Sequence, residues 1–462
     1  MRRKIYQELL QWKQRNGESA LLVQGARRVG KSYIVEAFAK AEYKSYILID
    51  FNLVDQQVKE MFEHDLVDLK TFFMKLTTYY GVKLYERESL IIFDEVQLFP
   101  RARSAIKYLV ADGRYDYIET GSLISIRENV KDILIPSEED HVDMYPLDFE
   151  EFLWANGNDT MMDFIRDCYR KKAPLGQALH RKAMDLFRQY LIVGGMPQAV
   201  NAFVKHNDFD EVDRVKRRIL NLYRDDIRKH AKGYEMKVEA IYDEIPSQMK
   251  NQNQHFKLSS LKQGARFDEY KDAMFWLSDA MIVNHCYNAT EPTFGLNLNR
   301  DRTLLKCYMG DTGLLISHAF DENGIVTGEV YKKLLLDKLE VNMGMVMENM
   351  VAQMLTASGH KLYFYSNSSR SDASSRMEID FLIAKSQISN RHNISPIEVK
   401  SSKNYTLSSL KKFKAKYAEH QETVQQIHDR ANELVSQLTA GIDRDTEAFD
   451  GVSAVFAMPK NT

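Results

Sequence analysis

Gly25, Gly30, Lys31 and Ser32 fall within GARRVGKS, residues 25–32, and fit the spacing G-x-x-x-x-G-K-[ST]. Glycines let backbone N–H groups crowd around an anion, and the lysine and hydroxyl that follow suit terminal phosphates and a magnesium ion. Arg28, Val29 and Tyr33 complete the expected cradle, and Arg27 and Arg28 either touch phosphate or pin the loop to a neighbouring segment. Phosphate-bond hydrolysis also needs a carboxylate to complete the metal's shell and a base to orient water. SLIIFDEVQ, residues 89–97, supplies both, with Asp94 as expected metal ligand and Glu95 as expected general base. In YDYIETGSL, residues 115–123, Thr120 and Ser122 end another apolar run. A hydroxyl there either senses the terminal phosphate and its water, which would make Thr120 catalytic beside Lys31 and Glu95, or closes the strand in a Thr-Gly-Ser turn. Arg101, Arg103 and Arg127 are candidates for an arginine that completes such a site.

A second constellation lies near the carboxyl end, in MEIDFLIAK (377–385) and SPIEVKSSK (395–403). Period-two alternation places Glu398 and Lys400 on one strand face, opposite Ile397 and Val399, and Asp380 joins them if the strands pair. Two carboxylates beside a lysine can bind a divalent ion and stabilise charge as water attacks a phosphodiester. Glu348, on the helical stretch MGMVMENMVAQML, completes that set; otherwise these residues are ordinary surface charges.

These residues require elements to hold them. ALLVQG, YKSYILIDF, SLIIFDE and YDYIETG alternate with helical patterns over residues 1–150, which predicts an α/β unit with a parallel sheet covered by helices. Residues 151–235 read as helical, broken at Gly194-Gly195-Met196-Pro197. Residues 236–325 suit a winged helix-turn-helix, whose Lys257, Lys262, Arg266 and Lys271 either touch DNA phosphates or form a solvated face. Residues 326–420 return to a small α/β pattern, and 421–462 are an unassigned tail. YSNSSRSDASSR, residues 365–376, reads as a loop.

The chain of 462 residues carries a net charge of -2, so no global field draws it to nucleic acid or membrane. Cys168, Cys286 and Cys307 are too far apart for a zinc motif or a disulfide framework, which suits a reducing cytoplasm. The basic start MRRKIYQELLQWKQRNGES lacks an apolar core and reads as an amphipathic helix; no run approaches a membrane span.

In their order, GARRVGKS, LIIFDEVQ, IETGS, MYPLDFEEFL, GGMPQAV, LYRDDI and IEVKSS resemble a bacterial and archaeal group of AAA-type ATPases with a carboxyl-terminal domain of unknown function. The resemblance runs from residue 1 to about 420. It implies a P-loop ATPase core, a helical segment, a winged-helix-like region and a terminal nuclease-like fold. The placing of Asp380 and Glu398-x-Lys400 is similar to the restriction-endonuclease-like fold. The expected cofactors are ATP and Mg2+, and the expected activity is ATP hydrolysis driving a conformational switch of the carboxyl-terminal modules. DNA or a protein is the expected partner, with an oligomer and no membrane. The alternatives are an ATP-gated, metal-dependent DNA nuclease and a nucleotide-binding scaffold. After LKKFKAKYAEH such proteins continue into a further strand, whereas here QETVQQIHDRANELVSQLTAGIDRDTEAFDG reads as a polar helix and loop.

Overall fold

Ala20, Leu21, Leu22 and Val23 are all buried, and they open strand β1 (Ala20–Gln24) of a computed structural model. The structure describes residues 1–123, 136–250, 255–292, 295–320, 343–367, 376–384, 394–400 and 406–417. Arg127, the 421–462 tail and most of the Ser-rich loop lie outside these residues. The chain divides into two units: Met1–Leu147, grouped with Asp279–Met281, and the remainder from Asp148.

In the first unit, β1 is joined by β2 (Ser45–Asp50), β3 (Ser89–Asp94), β4 (Asp116–Gly121) and β5 (Glu139–Asp143). The order is β2-β3-β4-β1-β5, and every pairing is parallel. All six residues of β3 and of β4 are buried, as two-sided coverage of a parallel sheet demands. The covering helices are α1 (Ile5–Gln14), α2 (Lys31–Glu42), α3 (Gln56–Glu60), α4 (Leu69–Tyr80) and α5 (Pro100–Asp112). Helix α1 buries Ile5, Leu9 and Trp12 along one stripe, the amphipathic helix expected of the basic start. Phe62 packs edge-on against Phe51 and Phe93 at 5.7 and 5.5 Å, tying the turn after α3 to the sheet. Because the strands are parallel, β1, β3 and β4 deliver Gly25, Asp94 and Thr120 to the same end of the sheet.

The second unit begins with α6 (Phe149–Ala155), started by a capping box between Asp148 and Glu151. Then come α7 (Met161–Lys171), α8 (Gln177–Val193), α9 (Pro197–His206), α10 (Phe209–His230) and α11 (Glu235–Lys250). The Gly194-Gly195 break is a packing joint. Gly194 has φ +78°, and a Cβ there would lie 2.3 Å from Asp311 Oδ1; a Cβ on Gly313 would lie 2.5 Å from Gly194 N. Asp311 accepts hydrogen bonds from Gly195 N–H at 2.6 Å and Leu314 N–H at 2.8 Å. The fully buried Lys216 donates to Ile192 O at 2.7 Å and Gly313 O at 3.2 Å, placing a cation at the carboxyl end of α8.

A short 3-10 turn at Leu258–Ser260, helix α12 (Phe267–Asp279) and strands β6 (Val283–Ala289) and β7 (Arg300–Met309) follow, then α13 (Thr312–Ala319). The strands are not a free wing. With β8 (Leu362–Asn367), β9 (Met377–Ala384) and β10 (Ile394–Ile397) they form one sheet in the order β10-β9-β8-β6-β7. The expected boundary at 325/326 therefore falls inside a single sheet. Helices α14 (Met343–Ala357) and α15 (Ser408–Lys416) accompany it. Strand β10 ends at Ile397, before Lys400, because Val399 N–H bonds to the Asp380 side chain at 2.7 Å. Among the described residues, no helix is long and apolar enough to cross a membrane.

Candidate functional site

The loop between β1 and α2 is shaped by two glycines for two different reasons. Gly30 caps α2 with φ +97°, a left-handed conformation that a side chain opposes. Gly25 is needed for space, since a Cβ there would lie 2.4 Å from the backbone oxygen of Met144. Arg28 is exposed with φ +71°, Tyr33 is 62% exposed, and Val29 is buried with its carbonyl turned to Arg3. Arg3 is itself buried and donates to Val29 O at 3.1 Å and Tyr145 O at 2.7 Å. The pin expected of Arg27 or Arg28 is thus also supplied by Arg3, whose place in a basic leader gave no sign of burial. Lys31 Nζ donates to Gly25 O at 2.9 Å and Ala26 O at 3.1 Å, so the ammonium is folded inside the loop.

Ser32 Oγ donates to Asp94 Oδ1 at 2.7 Å, bringing the loop hydroxyl and the β3 carboxylate together. Thr120 is fully buried and donates to the same Asp94 oxygen. Its hydroxyl is therefore spent on orienting Asp94. Glu95 follows in the left-handed region at φ +53°, a strained backbone for a non-glycine residue and of the kind that gathers at functional sites. Its carboxylate accepts from Gln97 Nε2 at 2.5 Å and from Ser122 Oγ at 3.4 Å. Gln97 carried no motif signal. Burial, with Asp94 and Glu95 nearby, raises the carboxyl of Asp50 at the neighbouring strand end. The hydroxyl of Ser32 and the carboxylate of Asp94 are hard oxygen donors, which fits them to hold magnesium beside a bound nucleotide.

Two of the arginine candidates, Arg101 and Arg103, are committed elsewhere. Arg103 is buried and grips Glu139 at 2.8 and 3.2 Å; Arg101 donates to Phe62 O and Glu63 O, both at 3.0 Å. Glu139 also pairs with His141 at 2.7 Å. Burial works against the charge of Glu139, yet His141 and Arg103 beside it hold it down at about 2. Burial and the neighbouring Glu139 push the fully enclosed Glu119 well up.

In the second unit, Glu348 and Asp380 do converge, around a residue that the sequence did not flag. Lys306 of β7 places Nζ 3.0 Å from Glu348, 2.9 Å from Glu378 and 3.9 Å from Asp380. Tyr308 OH also donates to Glu348. Burial and the charge of Glu348 hold Asp380 up at about 7, while Lys306 and the Val399 N–H pull against that rise. Burial opposes the Lys306 charge, but Glu348, Glu378 and Asp380 keep its ammonium well above the usual range. Glu398 pairs with Lys400, and its other oxygen, Oε2, is buried without a hydrogen-bond partner. Glu378 was legible two residues before Asp380 on the same face; Lys306, from a distant strand, was not. Among the described residues, no group of three or more His, Cys, Asp or Glu side chains has a geometry that holds a metal. The nuclease-type ion does not fit here, because an ammonium already takes the carboxylates' hydrogen-bonding directions.

Residues 17–153 match the family described as AAA domain. Residues 184–323 and 343–441 match two families described as domains of unknown function, DUF8612 and DUF4143. Among curated proteins no sequence matches the chain. Among solved structures, the Walker-type ATPase of Pyrococcus abyssi is similar over 69% of this chain and 95% of its own, at 14% identity and a TM-score of 0.39. The Orc1 protein of Aeropyrum pernix, solved in complex with DNA, is similar over 71% of this chain and 94% of its own, at 10% identity and a TM-score of 0.28.

Proposed function

We propose, from an amino-terminal unit whose residues 17–153 match the AAA domain family, that this chain hydrolyses ATP with magnesium and uses the cycle to switch its carboxyl-terminal modules. The observation that carries the reading is the 2.7 Å contact between Ser32 Oγ and Asp94 Oδ1, one residue along from Lys31. A bound magnesium ion would neutralise phosphate charge between these two side chains. Lys31 would leave the carbonyls of Gly25 and Ala26 for the terminal phosphates, and the loop amides would hold the rest. Glu95 would leave Gln97 and Ser122 and draw a proton from the attacking water.

A protein partner is favoured over DNA by the solvent face of α12, the helix that would read a groove in a winged helix. It exposes Asp268, Glu269 and Asp272 against Lys271 alone, and phosphates would be repelled. The exposed Lys257, Lys262 and Arg266, just before that helix, favour DNA as the second reading.

Phosphate release from ATP in magnesium buffer tests the proposal, with and without duplex DNA. The wild type turns over, while Lys31→Ala and Glu95→Gln do not. Turnover by the wild type that both variants retain would remove the site from consideration. Stimulation by DNA selects the second reading, and an unchanged rate selects the first.

A further inference from the structure

We propose that the ammonium of Lys306 is the resident cation of the carboxylate cluster formed by Glu348, Glu378 and Asp380, standing where a metal-dependent nuclease would hold a divalent ion. This goes beyond the ATPase reading and does not depend on it.

The geometry is that of a cation site filled from within. Two carboxylates meet Nζ at 2.9 and 3.0 Å, ordinary lengths for charge-assisted hydrogen bonds, and a third lies at 3.9 Å. The ligands come from two elements, α14 and β9, and the lysine from a third, β7, so the arrangement does not follow from local sequence. Lys306 Nζ also lies 5.3 Å from the centre of the Phe364 ring, whose face favours a cation. A divalent ion would need carboxylate oxygens drawn in to roughly 2.0–2.6 Å, which the ammonium prevents. Lys306 cannot swing away cheaply, because its side chain is only 9% exposed and leaving would strand three half-buried acids.

Two further features bear on what happens without the lysine. Gln248, His255, Lys306, Tyr308 and Glu348 line a pocket beside the cluster. Glu398 Oε2, buried and unpartnered, is a spare acceptor beside it. With the ammonium in place the acids lack the geometry to hold a divalent ion, and its removal would leave their charge free to draw one in.

The test is Mn2+ uptake by the nucleotide-free full chain, followed by the loss of the free-ion electron paramagnetic resonance signal. Wild type and Asp380→Asn should take up the same amount. Lys306→Met should take up one further Mn2+ per chain, and adding Asp380→Asn should abolish that gain. A Mn2+ bound by the wild type and lost in Asp380→Asn would overturn the proposal, and this comparison needs no Lys306 variant. No gain in a Lys306→Met chain that still unfolds cooperatively would also overturn it. Where Lys306→Met fails to fold, Lys306→Gln keeps a hydrogen-bonding side chain in place and makes the same prediction.

Discussion

Replacing Thr120 with valine removes one hydroxyl and almost nothing else, since the two side chains share their shape. Thr120 is fully buried and its hydroxyl donates to Asp94 Oδ1, the oxygen that also accepts from Ser32. Its effect on chemistry must therefore pass through the aim of Asp94. A hydrogen bond to a charged group contributes roughly 1.5–3 kcal/mol, and about 1.4 kcal/mol is a factor of ten, so the loss should be about 10- to 150-fold. It should appear chiefly as a weaker dependence on magnesium, measured as ATPase rate against Mg2+ concentration at saturating ATP. Thr120→Ser, which restores the donor, should recover most of it. A Thr120→Val chain with the wild-type magnesium curve would refute this reasoning. So would a loss that serine fails to rescue, because that would point to packing.

Gly25→Ala should weaken ATP binding in a fluorescent-nucleotide displacement titration and lower stability to urea by about 1–3 kcal/mol, since the new methyl meets the Met144 carbonyl and the loop must shift. An alanine variant with unchanged affinity would show that the loop has slack. The buried Lys216 makes an unusual pH prediction. Burial, partly offset by Asp213 and Asp311, pulls its ammonium down to about 8, against 10.5 ordinarily. Between those values the unfolded chain binds the proton better than the folded one, so this lysine makes stability rise with pH from 8 to 10.5 and stay level below 8. The rise amounts to roughly 3 kcal/mol, and it should vanish from Lys216→Met in urea unfolding across that range. Equal slopes in the two chains would count against burial as the cause.

The placement of the candidate residues in the first unit was legible because apolar runs end at or just before them: Leu22-Val23 one residue before Gly25, Ile92-Phe93 directly in Asp94. Parallel strands then bring those ends together without further instruction. Strand β5 was missed because Glu139-Asp140-His141-Val142-Asp143 has a single apolar residue, all that an edge strand with one pairing partner needs. Arg103 read as a candidate for completing the phosphate site, since its pairing with Glu139 of that unseen strand could not be seen. In the second unit, the acids could be read from period-two spacing, but their counter-ion could not. Lys306 precedes Glu348 by 42 residues, and nothing local marks a lysine whose partners lie so far down the chain. Thr120 was visible as a hydroxyl at a strand end, while the oxygen it serves needed coordinates.

The pairing of β6 with β8 has a consequence for how this molecule can be taken apart. Cys286, Tyr287 and Asn288 lie in register with Leu362, Tyr363 and Phe364, across the gap between the two families of unknown function. A chain severed in that gap would bare the edge of β6 on one fragment and of β8 on the other, each an open template for aggregation. The two halves should therefore be soluble when co-expressed and sticky when made alone, because neither can finish its sheet without the other.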